Sequence, residues 1–198
     1  MPFLTLQPGD VVLVRHGETA WSRSGRHTGA TDIPLTPAGE AAARGLASPL
    51  AALPLAQVLC SPLQRARRTA ELAGFSGRLT PVPDLVEWNY GAYEGLTSAQ
   101  IQERAPGWQV FRDGCPEGES PEAVAARADR VIAGLRQEPG PTLVVAHGHL
   151  LRVLAARWLA FPPQAGSHFL LDTTTVSVLS HYRGSPALGC WNAPWVPG

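Results

Sequence analysis

Two short apolar runs in this chain each lead straight into a His-Gly pair: Val11-Val12-Leu13-Val14 into Arg15-His16-Gly17-Glu18-Thr19, and Leu143-Val144-Val145-Ala146 into His147-Gly148-His149. Apolar runs of this length without polar alternation read as strands buried on both faces, the habit of a parallel sheet. In open α/β sheets ligands gather beyond the carboxyl ends of such strands. The pattern therefore brings two imidazoles and Arg15 to one end of one sheet. The glycine after each histidine has no Cβ and allows a sharp turn, which leaves the ring at the mouth of the sheet.

Further strand-like runs at Val58–Cys60 and Val176–Leu179 are separated by helix-like segments, the alternation of an α/β fold. Thr36-Pro37, Ser61-Pro62 and Ser120-Pro121 each put a capping hydroxyl before a proline, and so mark three helix starts. From Ser120 onward Val124, Ala128, Val131, Ile132 and Leu135 share one face of a long amphipathic helix, and another helix is expected over about 149–160. Residues 80–118 are rich in Pro, Gly, Trp and Tyr, with one short helix near Ser98–Arg104, and read as a loop-rich cap. The tail Trp191–Gly198 has no periodicity. A length of 198 residues suits a single domain over 1–198.

Composition narrows the chemistry. All 16 cationic side chains are arginine, so a P-loop lysine and a Schiff-base lysine are both excluded. Zero net charge argues against a nucleic-acid surface. Cys60, Cys115 and Cys190 are too far apart for a Cys-x-x-Cys pair, and reduced thiols in a cytoplasmic protein are expected. No leader and no membrane-length segment is expected. A cysteine-phosphatase loop would need its arginine at Ala66 rather than Arg65, and there is neither an Asp-x-Asp after a strand nor a His-Glu-x-x-His pair, so no metal is expected. Arginine forks and imidazoles can instead surround a phosphoryl group without a metal, and a neutral histidine nitrogen is a competent nucleophile.

Arg15-His16-Gly17-Glu18-Thr19, Gly25-Arg26-His27-Thr28-Gly29, Ser61-Pro62-Leu63-Gln64-Arg65, Glu87-Trp88-Asn89-Tyr90-Gly91 and Val145-Ala146-His147-Gly148-His149 follow one another in an order that resembles the histidine phosphatase superfamily. The resemblance covers nearly the whole chain and implies a three-layer, phosphoglycerate mutase-like α/β sandwich, with a mostly parallel sheet and helices on both faces. It also implies a phosphomonoesterase for small phosphorylated metabolites such as sugar phosphates, with no cofactor, nearest to the acid phosphatase and sugar-bisphosphatase branch. By the same resemblance His16 would be the nucleophile, Arg15, Arg65 and His147 would hold the phosphoryl oxygens, and Glu87 would be the general acid and base. Ser22, Thr28, Gly29 and Tyr90 match substrate-binding positions, with Ser22 standing where the family often has asparagine; His149 and Arg152 would bind a sugar phosphate or be a helix-surface pair. A 2,3-bisphosphoglycerate-dependent mutase is the competing activity, but the segment 97–119 is short and offers only Arg104 and Arg112 to a second anionic group. A non-catalytic phosphate-binding module stands third. Exposed strand residues, Trp191 and Trp195 leave a homodimer open.

Overall fold

The computed structural model describes residues 5–194; the expectations placed on Met1–Leu4 and on Trp195 fall outside them. In chain order the elements are β1 (Val11–Arg15), α1 (Ala20–Ser24), α2 (Pro37–Gly45), α3 (Ala47–Ala51), β2 (Gln57–Cys60), α4 (Gln64–Ala70), β3 (Leu79–Pro81), α5 (Ser98–Arg104), α6 (Val110–Asp113), α7 (Pro121–Leu135), β4 (Thr142–Ala146), α8 (Gly148–Trp158), β5 (Val176–Tyr182) and β6 (Ser185–Ala193). One six-stranded sheet results, in the order β3-β2-β4-β1-β5-β6. The first four strands are parallel, and β5 and β6 add two antiparallel pairs at one side.

The two runs that lead into histidine are the central strands, and burial on both faces explains why they lack polar alternation. Val11, Leu13, Val144 and Ala146 face a core shared with α7, α8 and the cap aromatics Trp88, Tyr90 and Phe111. Val12, Val14, Leu143 and Val145 face the opposite core, with Leu46, Leu50 and Ala66. The helix α7 buries the five apolar residues expected of it, and α8 seats Leu150, Leu151, Val153 and Leu154 fully. Each such side chain is worth roughly 1.5–3 kcal/mol of transfer free energy. Among the described residues no helix is long and apolar enough to cross a membrane.

Three sequence expectations change. The strand β6 occupies 185–193, so Trp191 belongs to a strand rather than to an aperiodic tail. Its turn is a two-residue hairpin between Tyr182 and Ser185, where Arg183 and Gly184 both have positive φ, 51° and 82°. Ser61-Pro62 does not start a helix, because α4 begins at Gln64 after an extended Leu63. The Ser61 hydroxyl meets His147 Nε2 and accepts the Leu63 N–H at 3.3 Å, ahead of the helix, and Asp32 Oδ1 accepts the Gln64 N–H at 2.8 Å. Finally, the glycines after the two histidines are not needed for turning, since neither has positive φ. They are needed for closeness: a Cβ on Gly17 would lie 2.7 Å from the Gly39 carbonyl oxygen, and one on Gly148 would lie 3.3 Å from the Arg15 guanidinium.

Candidate active site

Parallel pairing sets Arg15 opposite Ala146, so β1 and β4 release their histidines at the same level. The His16 backbone N–H donates to the Ala146 carbonyl at 2.9 Å, and the two imidazole centroids lie 5.2 Å apart. His16 Nδ1 lies 2.8 Å from the Gly17 carbonyl, which can only accept, so that nitrogen carries the proton and Nε2 keeps its lone pair. His16 lines an open cavity. Its Nε2 makes no hydrogen bond among the described residues. Burial, and then the charges of Arg15 and Arg65, hold the His16 pKa well below the usual histidine value, so the ring is neutral near pH 7.

Arg15 lies beside His16, with Nη1 donating to the Leu171 carbonyl at 2.6 Å. Its Nε is the one buried side-chain nitrogen or oxygen without a partner among the described residues. Burial lowers the Arg15 pKa and the nearby Glu87 opposes that shift; a guanidinium stays cationic regardless. Arg15 as a whole lines the cavity, and a guanidinium there is a place for an anionic oxygen.

Glu87 lines the same cavity and is buried. Its Oε1 accepts from the Trp88 and Leu150 N–H groups at 2.9 Å each, and its Oε2 from the His149 N–H at 3.0 Å. The carboxylate thus caps the N-terminus of α8, where His147 provides no side-chain cap. Tyr90 and His149 meet at 2.5 Å between the phenol oxygen and Nδ1. Burial raises the Tyr90 pKa and lowers that of His149, so both are neutral and share one hydrogen bond. Arg152 completes this side, donating to the carbonyls of Gly166 and Ser167 and lying 4.4 Å above the Phe111 ring.

Arg65 and His147 are fully buried and do not line the cavity. Arg65 donates to the carbonyls of Thr31, Thr28 and Gly29 at 3.0, 3.1 and 2.9 Å, and its Nε points to His147 Nδ1 at 3.2 Å. His147 therefore accepts at Nδ1 and donates from Nε2 to the Ser61 hydroxyl at 2.7 Å. Both are engaged by protein groups here and depart from direct contact with the cavity, standing behind His16 as a hydrogen-bonded support. Gly29 departs further, because its N–H is taken by the Glu94 carboxylate at 2.9 and 3.0 Å. Thr28 and Ser22 do line the cavity. The Ser22 hydroxyl is engaged by Thr19 in the capping box of α1, and that of Thr28 donates to the Arg26 carbonyl.

Several contributors carried no role in the sequence reading. Arg26, His27 and Ser98 also line the cavity, and Glu94 holds Gly29 and, at 3.1 Å, the Thr31 N–H. Arg26 and His27 sit inside a motif already singled out; Glu94 stands in a run of loop residues whose partners are remote in sequence. Among the described residues no group of three or more His, Cys, Asp or Glu converges as metal ligands do.

Residues 11–194 match the profile of the histidine phosphatase superfamily, branch 1. The chain is 41% identical over 179 residues to an acid phosphatase of Mycobacterium tuberculosis, covering 88% of this chain and 87% of that one. It is 34% identical over 196 residues to the sedoheptulose 1,7-bisphosphatase of Saccharomyces cerevisiae, covering 83% and 71%. A solved structure of an open reading frame from Mycobacterium tuberculosis superposes with a TM-score of 0.88 at 40% identity, covering 93% of this chain and 97% of that one.

Proposed function

The chain belongs to the histidine phosphatase superfamily, and from that premise we propose that it is a metal-independent phosphomonoesterase acting on small phosphorylated metabolites through a phosphohistidine on His16. One observation carries the reading: the Gly17 carbonyl fixes the His16 tautomer and leaves Nε2 with its lone pair, on a ring that lines the same cavity as Arg15. A neutral, oriented imidazole that shares a cavity with a guanidinium suits in-line attack on a phosphoryl group.

In the first step Nε2 forms a bond to phosphorus as the ester P–O bond breaks, and Glu87 gives its proton to the departing alkoxide. In the second, Glu87 takes a proton from water, whose oxygen attacks phosphorus as the P–N bond breaks and inorganic phosphate leaves. Arg15 binds the phosphoryl oxygens. Arg65 and His147 act from behind, Arg65 through its charge and through the ring of His147. Tyr90, His149, Arg152, Thr28 and Ser22 contact the remainder of the substrate, a sugar phosphate being the class that their mixture of hydroxyl, imidazole and guanidinium groups suits. Gly29 is left out of the contact set.

The mutase alternative is disfavoured because Arg104 and Arg112 do not line the cavity, and Arg112 is forked onto Asp113 at 2.7 and 2.8 Å. The same reading takes residues 1–198 as one domain capped by 80–118, and three free cysteines support a cytoplasmic setting. Phe161, Leu170 and Tyr182 are the exposed large apolar side chains among the described residues, and a homodimer stays open as part of this reading.

Phosphate release from sugar phosphates, p-nitrophenyl phosphate and 3-phosphoglycerate, in chelator, tests the proposal. Release by the wild type and none by His16→Ala is expected. Turnover that survives in His16→Ala, or that needs added metal, contradicts it.

A further inference from the structure

A part-buried ion pair between Arg127 on α7 and Glu119 just before it grips the backbone that carries Glu87. Arg127 falls within the apolar stripe of that helix and is 9% exposed. Its Nε and Nη2 donate to Glu119 Oε1 and Oε2 at 2.7 and 2.9 Å. The remaining capacity goes to a row of carbonyls: Asp84 at 2.7 Å and Val86 at 3.0 Å from Nη1, and Glu87 at 3.4 Å from Nη2. Glu119 completes the grip from the other side, accepting the Asn89 N–H at 2.8 Å on Oε2 and the Trp88 indole N–H at 3.0 Å on its backbone carbonyl.

Among the described residues the only regular element in the stretch 84–89 is one short helical turn, over Pro83–Leu85. A carboxylate at the end of such a stretch has no ladder to fix its distance from the cavity. Here its far end is fixed by the N–H groups of α8 and its near end by a guanidinium fork. Burying the Arg127 and Glu119 charges is costly unless they are paired and hydrogen-bonded, and five donor contacts from one side chain meet that condition. A surface comparison lies one turn away: Arg130 forks onto the Asp84 carboxylate in solvent and touches no backbone of the stretch.

We infer that Arg127, backed by Glu119, is a positioning residue for proton transfer by Glu87, setting where that carboxyl meets the leaving oxygen. The inference rests on the role given to Glu87 above. Its signature is dependence on the leaving group. A p-nitrophenolate departs without a proton, whereas an alkoxide needs one, and kcat/KM reports the steps through alcohol departure.

The experiment measures kcat/KM for p-nitrophenyl phosphate and for an alkyl phosphate in the wild type, Glu87→Gln, Arg127→Lys, Glu119→Gln and Arg130→Ala. Thermal melting and circular dichroism run alongside to identify variants that misfold. Lysine keeps the charge and loses the fork, so Arg127→Lys keeps the test alive where alanine would unfold the protein. Arg127→Lys and Glu119→Gln should lose about 100-fold on the alkyl ester and less than about tenfold on the aryl ester. Arg130→Ala should leave the ratio of the two unchanged. Adding Arg127→Lys to Glu87→Gln should cost little more than Glu87→Gln alone. If Glu87→Gln is selective while folded Arg127→Lys and Glu119→Gln lose both esters equally, or lose neither, positioning by Arg127 is overturned and the Glu87 role stands. If Glu87→Gln itself shows no selectivity, both fall together.

Discussion

The two sides of the cavity are held by different means. On the sheet side, His16 and His147 leave adjacent parallel strands, and their positions follow from backbone register. On the cap side, Glu87 and Tyr90 stand on irregular chain whose backbone is fixed by side chains from elsewhere: Arg127 and Glu119 for 84–89, and Arg65 and Glu94 for the 28–31 loop. A strand ladder shares its load over many bonds, whereas a clamp concentrates it in one side chain. Loss of a clamp should therefore displace one catalytic group and leave the sheet end intact.

The largest effect that sharpens this contrast should come from Arg15→Ala. Removing a preorganised donor to a developing phosphoryl charge costs about 10²–10³-fold in turnover. Because Arg15 serves the phosphoryl group and not the leaving oxygen, aryl and alkyl esters should suffer alike, opposite to the pattern expected for Arg127→Lys. A leaving-group-dependent loss in Arg15→Ala would erase the distinction between the two sides.

Glu94→Gln should be milder. It weakens two bonds from the Gly29 and Thr31 N–H groups, each worth about 1.5–3 kcal/mol when the acceptor is charged, and so loosens the loop that Arg65 grips. A lower melting temperature and a fall in kcat with KM nearly constant are expected from thermal denaturation and steady-state kinetics. A change confined to KM would instead make Glu94 a substrate contact.

Protonation strains the sheet side and its helix together. Burial depresses the pKa values of His16, His147 and His149, so the unfolded chain binds more protons than the folded one below about pH 6.5. Stability should be complete above that value and decline as the pH falls, by about 1.4 kcal/mol per pH unit for each ring titrating. Denaturant titrations from pH 7.5 to 5 read this slope, and His149→Gln should flatten it. A stability that is level across that range would contradict neutral buried rings. The smallest effect belongs to the cap exterior, where Arg112→Ala should leave kcat and KM unchanged for every ester in the panel. A rise in KM there would reopen the cap as a binding surface.

The same contrast decides what the sequence could disclose. Strand-held groups were legible because β-branched runs with both faces buried leave a local pattern, and α7 and α8 followed from their apolar spacing. The α4 start was misread at Ser61-Pro62, since a hydroxyl before proline looks the same whether it caps a helix or bonds a histidine 86 positions away. The bonds of Arg65 to carbonyls and of Gly29 to a carboxylate, each remote in the chain, leave no local pattern. Of the clamps, only Arg127 left a trace: one cation at i+3 between Val124 and Ala128 on an apolar face. Clamp partners are set by tertiary packing, and a single sequence does not encode distance.

The most direct test of the central claim is to find the phosphoryl group on the enzyme. Glu87→Gln, which lacks the base for the second step, is mixed with p-nitrophenyl phosphate, quenched in denaturant at alkaline pH to preserve a phosphohistidine, digested and sequenced by mass spectrometry. Phosphate on His16, absent from His16→Ala, is the predicted result. Continued turnover with His16 unmodified, or phosphate on His149 or any other side chain, would contradict nucleophilic catalysis by His16.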